Sequence, residues 1–207
     1  MDLSGFVAAL RVGGAMIYPL LLLAVIAVVV ILEKAFVVST RTRLPAPVLE
    51  TYAFAWEDLE QRVGQMDPRN YFRRFFHVIL DQRARPTWWV ESRAAEEATL
   101  IEQALGRWLW ALETIVTAAP LLGLLGTITG MIRAFHLFGS EGLVDPRGVT
   151  GGVAEALIAT AVGLFIALIA LFAFNYFSNR QAQIMDEMEQ LGTRVVDHLR
   201  LEADGAP

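Results

Sequence analysis

The chain has 207 residues, of which 55% are hydrophobic and 19% are charged, and its formal net charge is −5. Because the sequence holds no cysteine, disulfide bonds and thiolate metal sites are excluded. The net negative charge argues against nucleic acid as the main partner, since binding to phosphates needs clustered Lys and Arg in excess.

Three uncharged apolar segments are each close to or above the length needed to cross a bilayer, which is about 20 helical residues. They cover residues 12–32, 114–132 and 156–179. The residues before the first segment carry one acid and one base, and no small-residue cleavage site follows it. We therefore interpret this segment as a retained span and not as a cleaved signal. The sequence predicts an all-α integral membrane protein with three transmembrane helices.

Basic residues near the ends of these spans predict how the chain is oriented. The link at 136–150 carries two acids and one arginine, and it contrasts with the basic residues at the opposite span ends: Lys34, Arg41, Arg43, Arg107 and Arg180. The positive-inside rule then places the N-terminus and this link outside, and residues 39–110 and the C-terminus in the cytoplasm.

Between the first two spans the chain is predicted to be helical throughout. The prolines at 45 and 47 are typical of the start of a helix that runs to about Val63, and GQMDP at 64–68 is typical of a turn. A second helix is predicted over 69–83. A third should begin near Thr87 and continue without a break through the second span to His136, with a bend at Pro120.

The third span is predicted to continue as one helix well into the cytoplasm, to about Glu202. Beyond Arg180 an apolar stripe recurs at helical spacing with charged residues between its members. Such a stripe needs a partner surface, either the helix that contains residues 88–110 of the same chain or another copy. Its members are Ile184, Met188, Leu191, Val195 and Leu199.

No motif supports catalysis. The three histidines lie far apart and lack metal-ligand partners at helical spacing, and the sequence has no phosphate loop and no nucleophile elbow. We therefore expect no enzyme activity, no metal and no cofactor.

Small residues form a stripe on the second and third spans. Gly123, Gly126 and Gly130 lie on the second span, and Gly163 continues a similar stripe on the third. Lipid gives no hydrophobic gain for helix association, so small residues matter because they let two backbones approach closely. The stripes predict that the second span packs on the third.

Three polar residues, Thr127, Thr160 and Glu155, interrupt these apolar faces. Each has a local explanation. A threonine can donate to a carbonyl one turn earlier in its own helix, and an acid near a helix N-terminus is stabilised by the helix dipole. Polar residues inside spans also mark ion pathways, so a pore role is the alternative.

The spans hold no acid or base near the bilayer midplane. Threonine hydroxyls do not titrate near neutral pH, so they can position a proton but cannot store one. If protons cross the membrane here, the central carboxylate must come from another chain.

The runs AAPLLGLLGTITGMIRAF and GGVAEALIATAVGLFIALIALFAFNYF resemble the two signature membrane segments of the MotA/TolQ/ExbB proton channel family. The likeness is closer to the ExbB/TolQ branch, and the first span with Pro19 is similar too. Cytoplasmic residues 45–107 show little likeness. Many relatives carry a proline in the second half of the third span, where this chain has Leu-Ile-Ala at 168–170.

The resemblance implies a ring of identical subunits in the bacterial inner membrane, a pentamer in ExbB-like members. The ring encloses a single-span ExbD/TolR-like partner whose membrane Asp carries the proton. Thr127, Glu155 and Thr160 match the family's pore positions. Membrane lipid surrounds the ring, and a TonB- or TolA-like force transducer is a further candidate partner. The proton motive force would then energise an envelope process such as outer-membrane import.

On this basis four regions are expected. Residues 1–38 would form the periplasmic N-terminus and first span, and 39–110 a cytoplasmic helical region. Residues 111–179 would hold the pore-forming second and third spans with their periplasmic link, and 180–207 the cytoplasmic helix extension.

Two other functions remain open. A MotA-like flagellar stator would need a fourth span and a charged rotor-facing domain, which the sequence does not contain. A non-conducting scaffold that only stabilises a single-span partner would show the same packing stripes without any ion flux. The lack of further acids in the spans favours H⁺ over Na⁺ as the ion.

Overall fold

The computed structural model describes residues 14–43, 56–136 and 146–203. Across these ranges the chain is helical and contains no strand. We number the helices α1 (Ile17–Arg41), α2 (Trp56–Gln65), α3 (Tyr71–Gln82), α4 (Thr87–Gly106), α5 (Leu109–His136) and α6 (Pro146–Ala203).

Three helical stretches are long and apolar enough to cross a membrane: α1, the stretch that ends in α5, and α6. The predicted all-α class with three spans is thereby confirmed. The start of the helix predicted from residue 45 lies outside the described residues, and its remainder is α2. The helix predicted over 69–83 is α3.

The chain divides into two compact units. The membrane unit contains the residues up to Ile31 together with Trp108–Tyr176, and the hairpin unit contains Leu32–Arg107 together with the residues from Phe177 onward. Helices α1 and α6 each contribute to both units.

The prediction of one unbroken helix from Thr87 to His136 was wrong. Helix α4 ends at Gly106, where Arg107 has an extended backbone (φ −53°, ψ 132°), and Trp108 adopts a φ of 69° before α5 begins. The left-handed conformation is unusual for a residue with a bulky side chain and costs about 1–3 kcal/mol.

A tertiary contact stabilises this break. The Nζ of Lys34, on α1, donates a hydrogen bond to the backbone O of Leu105 at 2.8 Å. This carbonyl belongs to the last turn of α4, where backbone oxygens have no partner within the helix. Gly106 adds a weak local stop signal, which by itself did not predict the end of the helix.

The core of the hairpin unit is formed mainly by the apolar faces of α3, α4 and α6, joined by Val37 of α1 and by Leu59 and Val63 of α2. The apolar stripe of α6 beyond Arg180 is buried here, so its partner surface is provided by the same chain. The buried residues of the three helices are Tyr71, Phe72, Phe75, Phe76, Ile79, Val90, Ala94, Ile101, Leu105, Ile184, Met188, Leu191, Val195 and Leu199.

Asn70 caps α3 and also ties it to the end of α1. Its side-chain Oδ1 accepts from the backbone N of Phe72 at 2.8 Å, and its Nδ2 donates to the backbone O of Arg43 at 2.6 Å. We expect Asn70→Ala to destabilise the hairpin unit by about 2 kcal/mol, because both bonds are lost at a buried site.

Thermal unfolding in mild detergent, followed by circular dichroism, measures this loss. Asn70→Ser keeps the cap acceptor and should lose about half as much. The exposed Asn179→Ala is the matched control and should leave the unfolding temperature nearly unchanged. Equal effects of Asn70→Ala and Asn179→Ala would contradict the cap.

Candidate functional site

Helices α5 and α6 approach each other closely through their small residues. A Cβ atom placed on Gly126 would lie 2.5 Å from the Cβ of Ala159. One placed on Gly130 would lie 2.9 Å from the Cβ of Ala156. Real Cβ contacts are longer than this, so side chains at these glycines would force the helices apart.

The close approach extends to Gly123 and Gly163, where the neighbouring atoms are backbone. A Cβ on Gly123 would lie 3.0 Å from the Cα of Thr160, and one on Gly163 would lie 2.5 Å from the backbone O of Ala119. All four glycines singled out in the sequence therefore lie in the contact between α5 and α6.

Because the two helices lie so close together, Thr160 of α6 can form a hydrogen bond to the backbone of α5. Its Oγ1 donates to the backbone O of Gly123 at 2.9 Å. A hydroxyl in hydrocarbon has no water to bond to, so an interhelical partner satisfies it and typically contributes about 0.6 kcal/mol. The oxygen of Thr160 keeps lone pairs that can accept a further hydrogen bond.

Thr127 is bonded within its own helix. Its Oγ1 donates to the backbone O of Leu124 at 2.6 Å, and the side chain is half-buried. Thr127 lies about one helical turn along α5 from Gly123, the acceptor of Thr160. Each of the two threonine hydroxyls thus donates to a backbone carbonyl, and they do not bond to one another.

Glu155 forms an ion pair across the same two helices. Its Oε1 lies 2.5 Å from Nη2 of Arg133, and the side chain is 18% exposed against 51% for the arginine. Arg133 stands near the end of α5 and Glu155 in the first turns of α6. The partial exposure of Arg133 makes the pair worth about 1 kcal/mol or less.

The chain just before α1 meets this ion pair at Gly14. A Cβ placed on Gly14 would overlap Oε1 of Glu155 and would lie 2.9 Å from Nη2 of Arg133. Gly14 also has a φ of 65°, which L side chains rarely adopt. Both the space and the backbone require glycine here, and all three apolar helices converge on one cluster.

Sequence reasoning did not single out Arg133 or Gly14. The available signal for Arg133 was a lone positive charge directly after an uncharged span, across a short link from Glu155. Gly14 carried no signal beyond being a glycine near the start of the first span.

Thr160 and Glu155 each bond from α6 across to α5, and Thr127 lies on α5 between their two partners, Gly123 and Arg133. From Gly123, the acceptor of Thr160, through Thr127 to Arg133, these groups extend over eleven residues of α5, or about 15 Å of helix. No carboxylate lies within this stretch, because residues 114–132 and 156–179 are uncharged. The arrangement can hydrogen-bond and position a proton or a partner's carboxyl group, but it has no central group that titrates.

Comparison with known proteins places these residues in a family. The sequence pattern of the MotA/TolQ/ExbB proton channel family matches residues 68–190. The Synechocystis protein called ExbB-like 3 is 36% identical over 186 residues, which cover 84% of this chain and 87% of that protein. This chain belongs to the MotA/TolQ/ExbB proton channel family.

Further relatives place it in the ExbB-like branch of the MotA/TolQ/ExbB family. The Synechocystis protein called ExbB-like 1 is 31% identical over 192 residues, covering 88% of this chain and 74% of its own. Biopolymer transport protein ExbB of Xanthomonas campestris is 42% identical over 78 residues, which are 38% of this chain and 31% of that protein. The region matched by the family contains Thr127, Glu155 and Thr160.

Much of the apolar surface of the membrane unit remains uncovered in this MotA/TolQ/ExbB family chain. Helices α5 and α6 expose bulky apolar side chains on the sides turned away from their mutual contact. In a bilayer such faces meet lipid or other membrane helices. They include Leu121, Leu124, Ile128, Phe135, Leu157, Phe165, Leu168 and Phe172.

Proposed function

We propose that this chain is the ring-forming proton-channel subunit of an inner-membrane motor. With a single-span ExbD/TolR-like partner, it uses the proton motive force to energise a cell-envelope process such as outer-membrane import. The N-terminus and the link at 136–150 lie in the periplasm, and the C-terminus in the cytoplasm. The observation that carries the proposal is the set of polar groups in α5 and α6, formed by Thr160, Thr127 and the Arg133–Glu155 pair, in spans without a central carboxylate.

The pathway needs a second chain to be complete. A proton crossing the bilayer requires a group that binds and releases it near the midplane, and this chain supplies only hydroxyls there. A partner helix with one membrane Asp would complete the path. The free lone pairs of Thr127 and Thr160 can accept a hydrogen bond from that Asp when it is protonated.

The charged pair and the two threonines have different roles in this proposal. Glu155 and Arg133 lie at the periplasmic end and hold opposite charges where a proton would enter. Thr127 and Thr160 lie deeper and receive the protonated partner. Membership of a proton channel family supports this division, and so does the likeness of this chain to the ExbB-like relatives.

The free energy released when protons cross the membrane is large enough to drive a movement of the subunits. One charge that crosses 100 mV releases about 2.3 kcal/mol. One or two protons could therefore rotate the ring relative to the partner helices, at the expense of a few broken contacts. The partner, or a TonB- or TolA-like transducer, would pass this movement to the envelope.

Proton flux into liposomes that contain this chain and a single-span partner tests the proposal. Thr160→Val, Thr127→Val and Glu155→Gln should each lower the flux about tenfold or more, equivalent to about 1.4 kcal/mol of barrier. The matched control is Thr117→Val. The hydroxyl of Thr117, like that of Thr127, donates to a carbonyl three residues earlier in its own helix, at 2.9 Å, but Thr117 lies outside the stretch from Gly123 to Arg133.

Two outcomes would overturn the proposal. Flux that survives both threonine substitutions unchanged would remove the hydroxyls from the path. A complex that retains its partner but never conducts would favour the non-conducting scaffold, for which the satisfied bonds of both threonines are sufficient.

A further inference from the structure

The hairpin unit contains a groove of about 540 Å³ between α4 and the C-terminal half of α6. Its floor is apolar and includes Phe75, Ala94, Ala98, Met185 and Val196. Four carboxylates and a single guanidinium stand around this floor. They belong to Glu91, Glu102, Glu189, Asp197 and Arg200.

The negative charge of the groove is only partly neutralised within the unit. Arg200 pairs with Glu91 at 2.7 Å and with Asp197 at 3.3 Å. The exposed side chains of Glu102 and Glu189 have no ion-pair or hydrogen-bond partner in the part of the chain that the structure describes. An occupant of this groove should therefore be both basic and apolar.

Such a surface exists on the same chain, at α3. The segment 69–85 holds five arginines and one acid. One face of α3 is buried in the core, and Arg74 and His77 are exposed on the other. Arg69 and Arg85 flank the helix, and their exposed guanidinium groups have no partner among the described residues.

Helices α3 and α4 run antiparallel in a register that the contacts define. Nη2 of Arg74 lies 2.7 Å from Oε1 of Glu97, and Nε1 of Trp89 donates to Oε1 of Gln82 at 3.3 Å. Continuing this register brings position 69 to the level of position 102. The arginines of segment 69–85 thus lie at the same levels along the unit as positions 102 to 86 of α4, which include Glu102 and Glu91.

We infer that the groove receives the basic face of α3 from the neighbouring copy of this chain. The inference rests on the ring in the proposed function and names its subunit contact. In copies related by rotation about an axis parallel to these helices, equivalent residues lie at the same height along the axis. Arg69 of one copy therefore meets Glu102 of the next. A head-to-tail contact of this kind closes into a ring when the rotation permits.

The charge of the groove favours the basic face of a neighbouring copy over residues 44–55 of the same chain as its occupant. Residues 44–55, LPAPVLETYAFA, contain one acid and no base, so they do not complement the groove. Phe75 reaches the groove floor from the buried face of α3. The outer face of α3 therefore stays available to a second copy while the groove of its own unit is occupied.

Cysteine cross-linking in membranes tests the contact, because the chain has no cysteine of its own. One tagged copy carries Arg69→Cys, and a second copy with a different tag carries Glu102→Cys. A short bismaleimide should then give the mixed dimer in high yield. The matched control is Gln103→Cys, exposed on the same helix but turned about 100° away from the groove, where the yield should be severalfold lower.

Charge reversal adds a second readout. Glu102→Arg replaces the proposed attraction to Arg69 of the neighbouring copy by repulsion. In cysteine-free chains it should weaken ring assembly about fivefold, since an exposed pair contributes up to about 1 kcal/mol. Adding Arg69→Glu to the Glu102→Arg chain should restore assembly, and circular dichroism should show that each variant folds.

The outcomes separate this inference from the function. If native mass spectrometry shows a ring but the Glu102→Cys and Gln103→Cys yields are equal, the contact lies elsewhere and the inference is wrong while the channel proposal stands. A Glu102→Cys cross-link only to the single-span partner would also overturn it. If the unmodified chain forms no ring with its partner, the channel proposal itself fails.

Discussion

Gly163→Ala is expected to lower the stability of the membrane unit by about 1–3 kcal/mol, the usual cost of overpacking. The new methyl group would lie 2.5 Å from the backbone O of Ala119 and 3.2 Å from the Cα of Gly123. Backbone atoms of α5 cannot rotate away as a side-chain end can, so α5 must separate from α6. The loss should exceed the gain of about 1 kcal/mol that alanine brings to a helix interior.

Gly151→Ala is the matched control because it makes the same change in the same helix. Apart from the adjoining backbone of its own helix, no atom of the described residues lies within 4 Å of a Cβ placed on Gly151. This variant should be up to about 1 kcal/mol more stable than the unmodified chain. Thermal unfolding in mild detergent should therefore move in opposite directions for the two substitutions, and a rise for both would show that α5 and α6 are not in close contact.

The separation of α5 from α6 in Gly163→Ala should also disturb the proposed proton pathway. Thr160 bonds to the O of Gly123, one turn away from the site of the substitution. If Gly163→Ala lengthens the distance between these helices, flux should fall together with stability. Gly151→Ala should leave flux unchanged.

Lys34→Ala is expected to destabilise the hairpin unit by about 2–4 kcal/mol. Lys34 is the only lysine in the sequence, and its side chain is 2% exposed. Its removal leaves a cavity along the buried stem and takes the hydrogen bond from the O of Leu105 at the end of α4. The break at Arg107 and Trp108 should become less well defined, because the carbonyl that Lys34 holds loses its partner.

Lys34→Met separates the two contributions, because methionine keeps most of the volume of the stem and loses only the ammonium group. Its cost should be less than half that of Lys34→Ala, since removing a buried charge also removes a desolvation penalty. Unfolding of both variants in detergent, followed by tryptophan fluorescence, gives the comparison. Equal costs would mean that packing of the stem contributes little, and no cost for either would contradict the role of Lys34 at the break.

Local pattern was sufficient to predict much of the fold. The three uncharged runs are long enough to cross a membrane whatever surrounds them, and they correspond to α1, α5 and α6. The prediction of 69–83 lies within two residues of α3 at each end, because the GQMDP turn before it is a local signal. The apolar stripe of α6 similarly required a continuous helix, which the structure confirms.

The break between α4 and α5 was not predictable in this way. Its stabilising contact joins Lys34 to Leu105 across 71 positions of sequence. No proline stands at the break, and one glycine is a weak stop signal. A bulky residue such as Trp108 gives no indication of a positive φ, because it adopts one only when the surrounding structure requires it.

In the candidate site, too, the sequence predicted the polar residues but not their bonding partners. Thr127, Thr160 and Glu155 could be singled out from the sequence because a polar group in or beside an apolar run is conspicuous in any fold, and their role in a pathway stays a prediction. Their partners were not found, because a threonine can bond to its own helix or to a neighbour, and the choice depends on how two helices pack. Thr127 bonds locally and Thr160 across the contact.

The sequence by itself determined that this protein is helical, crosses the membrane three times and lacks a carboxylate at the centre of its spans. Hydrophobic length and helical periodicity are properties of each segment alone. Only the tertiary structure decided that Arg133 pairs with Glu155 beside Gly14, that α4 stops at Gly106 and that α6 buries its stripe within its own chain. These contacts join residues distant in sequence, and they depend on the register of one helix against another, which no single segment encodes.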